Sequence, residues 1–305
     1  MTIRAALATA HLGAGHMKVA SEMLDESVKA AETLYPSNST ALLHTRLLYA
    51  ANKVTDRHYD TASELLAQAT AQGREPLAEN INYQSLYYQW AASAQAGSGN
   101  LTSAMTLHSR SISVLENSEH TDPTVYADAL DAYGDTLRLA GDLLRSEAKL
   151  LQALAIREDR LPPKTPSLAI TLEKLAQTYI AMERYDDADS SLLRAKAIVD
   201  SELPPTSQLR ASVLRTFAEL ELARGNAAAA VERARAALNI HESTRDADDG
   251  ELALSRFMLA RALASQDPES IESETLARNA LDLLRTRGEG WAPDAERIAA
   301  WLESH

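Results

Sequence analysis

The chain has no cysteine, which removes disulfide bonds and thiolate chemistry from what it can do. Aromatic side chains are scarce, at 5% of residues with two phenylalanines, and the runs of Val, Ile and Thr that would mark strands are missing. No segment reaches the roughly 18 consecutive apolar residues that a membrane-spanning helix needs. The first 20 residues also lack the charged-then-apolar layout of a secretory signal. The expected compartment is therefore the cytoplasm, with no membrane partner. Basic residues are the minority: 30 Lys and Arg face 43 Asp and Glu, for a formal net charge of -13. That balance disfavours electrostatic binding to nucleic acid or to anionic lipid. The 11 glycines stand singly, so there is no phosphate loop and no dinucleotide-binding turn.

What is present is alanine and leucine in helical period. Ile170 to Ile198 reads as two amphipathic helices joined by a short turn. In the first half Leu172, Leu175, Ala176 and Tyr179 recur at spacings of three and four, and in the second Ala188, Leu192, Ala195 and Ile198 do the same. Glu183 to Asp187, polar apart from Tyr185, supplies the turn. Such a hairpin cannot bury both faces alone, and the sequence supplies neighbours at a fixed interval of 42 residues. One column of small residues runs through Ala8, Ala50, Ala92, Gly134, Ala176, Ala218 and Ala260. A second runs through Ala20, Ala62, Ala104, Ser146, Ala188 and Ala230, with Ser273 in step after a one-residue insertion. A third, of mostly larger residues, is Leu7, Tyr49, Ala91, Tyr133, Leu175, Phe217 and Leu259. Between units, the Leu-Pro-Pro segments at 161–163 and 203–205 stop the second helix and fix the approach to the next unit.

This order of large, small and turn positions resembles the tetratricopeptide repeat, and its longer form resembles the repeats of kinesin light chains and of many bacterial regulatory proteins. The turn glycine of that pattern is Gly15, Gly99, Gly141 and Gly225, with Arg57, Glu183 and Asp267 in its place elsewhere. The resemblance implies an all-α fold, a right-handed α-solenoid of seven helix-turn-helix repeats at about 1–42, 43–84, 85–126, 127–168, 169–210, 211–252 and 253–292, closed by a capping helix at 293–304. We read it as a single domain over 1–305. In the capping segment Ile298 and Trp301 are expected inward. At the other end the chain enters the first helix abruptly, with Met1 to Leu12 already in register. One expectation is that it is the downstream part of a longer protein, its uncapped first repeat open to self-association. The other is a true start at Met1 with a shortened helix.

The resemblance also implies that first-helix positions line a concave surface. Asp128, Asp131 and Asp135, with Arg138 one turn on, share a helical face in repeat four. The same register brings Glu173, Gln177, Arg215, Glu219 and Arg261 to that surface in later repeats. We therefore expect a charged groove for a protein or peptide carrying both signs, centred on Asp131 and Asp135. The competing reading is a solvated face on an acidic protein. An alternative anchor is an aromatic pocket of Tyr83, Tyr87 and Trp90, in which Tyr88 is the core residue and Trp90 points elsewhere. The Asn ladder of the kinesin-type form is replaced by Ala6, Leu48, Trp90, Ala132, Lys174, Thr216 and Met258, so that family's mode of gripping a peptide backbone is not carried over.

For chemistry, the eight histidines form no metal-ligand spacing, and none has a nucleophile beside it. His108 falls in a core column. The acidic turn at 245–250 is read as solvated rather than as a calcium loop. No catalytic residue, metal or cofactor is expected. The resulting expectation is a non-catalytic interaction scaffold. The alternative is a regulatory or sensor array of a larger protein, such as a bacterial serine/threonine kinase, or a sensor of a peptide or small ligand.

Overall fold

A computed structural model describes residues 17–118, 121–244 and 248–305. The first helix of the first repeat, with Leu7, Ala8 and Gly15, and part of the acidic turn at 245–250 lie outside the described residues. All regular structure among the described residues is helical. The chain divides into two compact units, Met1–Ala153 and Leu154–His305.

In the first unit α1 spans Met17–Leu34, α2 Thr40–Thr55, α3 Tyr59–Gln72, α4 Arg74–Glu79, α5 Ile81–Gly97, α6 Leu101–Glu116 and α7 Pro123–Leu139; α8, Leu143–Arg160, contains the division. Helices pair in sequence order, α2 with α3 and α5 with α6. The small residues sit where the helices of a pair cross: Ala50, Ala62, Ala92 and Ala104 have no exposed surface. At the crossing of α7 and α8 the small residue is Gly134, where a Cβ would meet Leu150 Cγ at 2.7 Å. The short helix α4 fills the connection between Gln72 and Asn80. Starts are set locally. Ser39 accepts from the Leu42 amide at 3.3 Å, Asn80 from Tyr83 at 3.2 Å and Asp122 from Thr124 at 2.8 Å, each satisfying an amide that the helix itself leaves open.

In the second unit α9 spans Pro166–Ala181, α10 Tyr185–Glu202, α11 Gln208–Ala223, α12 Ala227–Ser243, α13 Asp249–Gln266, α14 Ile271–Arg285 and α15 Ala292–Ser304. The pairs are α9 with α10, α11 with α12 and α13 with α14. Ala176, Ala188, Ala218, Ala230 and Ala260 are fully buried at their crossings, beside Leu172, Leu175 and Leu192, each such leucine contributing about 1.5–3 kcal/mol. The α8 and α10 helices end just before their Leu-Pro-Pro segments, because proline lacks the amide that would extend them.

Successive turns place a left-handed residue at Gly99, Gly141 and Gly225, and also at Arg57 (φ 57°) and Glu183 (φ 60°), which hold the conformation without being glycine. Asp267 does not follow: its φ is -142°, because the one-residue insertion in the last repeat changes the path of that turn. The closing helix α15 buries Ile298 completely. Trp301 packs edge-on against Phe257, ring centres 5.6 Å apart, while Glu296, Arg297 and Glu303 face solvent.

Candidate functional site

In the second unit the first helices α9, α11 and α13 lie side by side and carry a ladder of polar residues at the 42-residue interval. One rung column holds Glu173 and Arg215, the next Gln177, Glu219 and Arg261. Glu173 is 6% exposed, so its charge has lost most of its water, which is costly unless replaced by hydrogen bonds. Those come from α11: Ser212 Oγ donates to Glu173 Oε1 at 2.6 Å and Thr216 Oγ1 at 3.0 Å. Gln177 Nε2 donates to Thr216 Oγ1 at 3.4 Å. Burial pushes the Glu173 carboxyl above its ordinary value, against the lowering pull of Ser212, Arg215 and Thr216.

Arg215 is bound to α13, its Nη1 standing 2.6 Å from Glu251 Oε2. Burial alone would lower its pKa, but Glu251, Glu173 and Glu219 together outweigh that and hold it above the ordinary arginine value. Behind this pair, His241 of α12 is 2% exposed, and its Nδ1 lies 3.0 Å from Ser255 Oγ. Desolvation keeps the imidazole below its usual pKa, with Glu251 and Asp248 opposing and Arg215 assisting. Arg287 reaches Asp248 at 2.6 Å, tying the turn after α14 to the start of α13.

Arg261 differs from its neighbours. It is half-buried, and no hydrogen bond or ion pair holds it among the described residues. Burial lowers its pKa; Glu219 acts against that and Arg297 adds to it. The ladder therefore contains one internally satisfied part, Glu173–Ser212–Thr216 with Arg215–Glu251, and one cation with binding capacity to spare.

The first unit separates the three aspartates that share a register. Asp128 is exposed, Asp131 is 3% exposed, and Asp135 is held by Arg138, whose Nη2 lies 2.7 Å from Asp135 Oδ1. They do not form one open acidic face, because neighbouring helices cover the middle residue. Of the aromatic trio, all of Tyr83, Tyr87 and Trp90 pack against the core of the α2–α3 hairpin. Trp90 thus turns toward a core rather than away from it. Only Tyr87 lines the concavity of about 510 Å³ between α3, α5 and α6.

Several functional-face residues give little signal in the sequence. Ser212, Thr216 and Glu251 are recruited from positions 39, 43 and 78 residues beyond Glu173, and serine or threonine within an alanine-rich helix reads as neutral. A faint clue exists for buried polar links between consecutive repeats. Arg157 donates to Thr171 as His241 pairs with Ser255, each across 14 residues.

Residues 167–243 match the family model of the tetratricopeptide repeat. No curated protein sequence matches the chain. Among solved structures, a Rap protein complexed with Competence and Sporulation Factor has a TM-score of 0.65 at 14% identity, covering 99% of this chain and 90% of that one. BtubC from P. vanneervenii has a TM-score of 0.56 at 13% identity, covering 86% of this chain and 93% of that one. A putative kinesin light chain of Podospora anserina, with nearly identical TPR-like repeats, has 0.53 at 18% identity over 67% of this chain and 96% of that one. Residues 167–243 therefore belong to the tetratricopeptide-repeat family, within a chain that carries the fold of such repeats, including those of a kinesin light chain.

Proposed function

We propose that this chain is a non-catalytic protein-interaction module, and that the face of α9, α11 and α13 takes a carboxylate side chain of a partner peptide on Arg261. The observation that carries the reading is Arg261 itself. A half-buried guanidinium without a hydrogen-bonded anion is unfavourable in the free protein, and a partner carboxylate relieves that cost with a bidentate, charge-assisted contact. Glu219 sits in the same column and repels a second acidic group, while it attracts a basic one. The preferred segment therefore carries both signs. Glu173, Arg215 and Glu251 shape the floor rather than touching the partner, since their polar atoms serve one another. The likeness in fold to a Rap protein complexed with Competence and Sporulation Factor supports a binding role, and the net charge of -13 argues against nucleic acid.

The test is a panel of labelled peptides of equal length, acidic, basic, mixed and neutral, titrated by fluorescence anisotropy. Mixed or acidic peptides should bind most tightly, with affinity falling as salt rises. Equal affinity for every class, or preference for the neutral one, contradicts the reading.

A further inference from the structure

The first unit carries a second concavity whose chemistry is opposite to that of the chain as a whole. It holds about 510 Å³ between α3, α5 and α6, within the size range of small-molecule sites. Its apolar part is Leu66, Leu107 and the ring of Tyr87; its rim carries Thr102, Ser103 and Arg110. No carboxylate lines it, although acidic residues outnumber basic ones by 43 to 30 in the chain. On the other side of α6 a second depression of about 490 Å³ shares Thr102, Thr106 and Arg110 and adds Arg145, again without a carboxylate in its lining.

The two arginines have different standing. Arg145 is already engaged, its Nη1 3.1 Å from Asp142 and its Nη2 donating to the Tyr133 hydroxyl at 2.7 Å. Arg110 makes no ion pair among the described residues and stands exposed on the ridge between the depressions. The Tyr87 hydroxyl does not compete for it as a phenolate, because burial and the neighbouring Tyr88 raise its pKa, against the lowering pull of Thr70 and Arg110. Thr106 gives its proton to its own helix at the Thr102 carbonyl, 3.0 Å away, so the donors that α6 brings to the lining are Arg110 and the hydroxyls of Thr102 and Ser103.

We propose that this concavity binds a small organic anion, a phosphate ester or a carboxylate, with its charged head on Arg110 and the α6 hydroxyls and its apolar body against Leu66, Leu107 and the Tyr87 ring. A guanidinium flanked by hydroxyl donors suits a planar or tetrahedral oxyanion, and an apolar floor beside a few convergent polar groups is the usual composition of a ligand site. The site is separate from Arg261 and stands or falls independently of it.

Isothermal titration with four probes tests this: phenyl phosphate, benzoate, inorganic phosphate and phenol. Saturable binding is expected for phenyl phosphate, benzoate or both, and which of them binds distinguishes a phosphate ester from a carboxylate as the natural head group. Arg110→Gln should weaken that binding by about tenfold or more, the effect of losing one charge-assisted contact worth about 1.5–3 kcal/mol, while Arg278→Gln, at an exposed arginine of α14 paired with Glu274, leaves it unchanged. Because Arg110 is exposed, its variant should keep the wild-type melting curve; Leu107→Ala, which should weaken phenyl phosphate but not inorganic phosphate, provides a second reading. The proposal is overturned if neither organic anion binds at concentrations on the order of 10 mM, well above the 1 mM affinity that corresponds to about -4 kcal/mol. It is equally overturned if phenol or inorganic phosphate binds as tightly as the organic anion that does bind, or if Arg110→Gln has no effect.

Discussion

Trp291 lays its indole ring on Gly250, so closely that a Cβ on that glycine would stand 2.1 Å from ring carbons Cη2 and Cζ2. The contact fastens the turn after α14 to the start of α13 and completes the core beneath the closing helix. Gly250→Ala should therefore overpack it and cost about 1–3 kcal/mol. A urea denaturation midpoint equal to wild type would mean the indole moves aside freely.

Ala176 makes the same kind of demand at the crossing of α9 and α10, where it has no exposed surface. Ala176→Leu adds three heavy atoms where there is no room, at a similar cost of about 1–3 kcal/mol. The exposed Ala181→Leu on the same helix is the control and should be near neutral. A variant at 176 that melts with wild type would show that the helices do not cross there.

These crossings were legible in the sequence because a small residue between paired helices is a steric need of each hairpin, met again in each repeat. The turn positions were legible for the same reason. At Asp267 the insertion removes the need, and nothing in that residue announces it. Burial of charge was not legible. Asp128 and Asp131 share a register, yet one is exposed and the other covered, since the cover comes from distant parts of the chain. Glu173 was placed on the right face, but its partners Ser212 and Thr216 are ordinary helix residues until the repeats are stacked. The pairing of Arg215 with Glu251 depends on a residue 36 positions on, at the start of α13.

Glu183 holds φ at 60°, a conformation costing an L-residue about 1–2 kcal/mol. Glycine avoids that strain but has the more flexible unfolded chain, a penalty of about 0.5–1 kcal/mol. Glu183→Gly should thus stabilise by a net amount of about 0.5–1 kcal/mol, and Gly225→Glu, where φ is 78°, should destabilise by as much. Thermal melts of both variants check the pair of signs. A destabilising Glu183→Gly would contradict the assigned turn.

The raised pKa of Glu173 fixes a sign for pH dependence. Above the ordinary value of 4.5 and up to its raised folded value, the folded chain keeps a proton that the unfolded chain has lost. This group's contribution to stability therefore falls as pH rises through that window. Glu173→Gln, which keeps an acceptor for Ser212 and Thr216 while removing the desolvated charge, should be at least as stable as wild type at pH 8. The two should converge below about pH 4, where the carboxyl is protonated in both folded and unfolded chains. Melting temperatures across pH 4 to 8 read this directly; a gap that widens on acidification would reverse the assignment.

The central claim is that Arg261 receives an anion from a partner. The most direct measurement is the dissociation constant of the tightest peptide from the charged panel, taken at low and high salt for wild type, Arg261→Gln and Glu219→Gln. Loss of Arg261 should weaken binding by about tenfold or more and flatten the salt dependence. Removing Glu219, which competes for Arg261, should tighten the binding of an acidic peptide. Equal constants and equal salt slopes for wild type and Arg261→Gln would contradict the account.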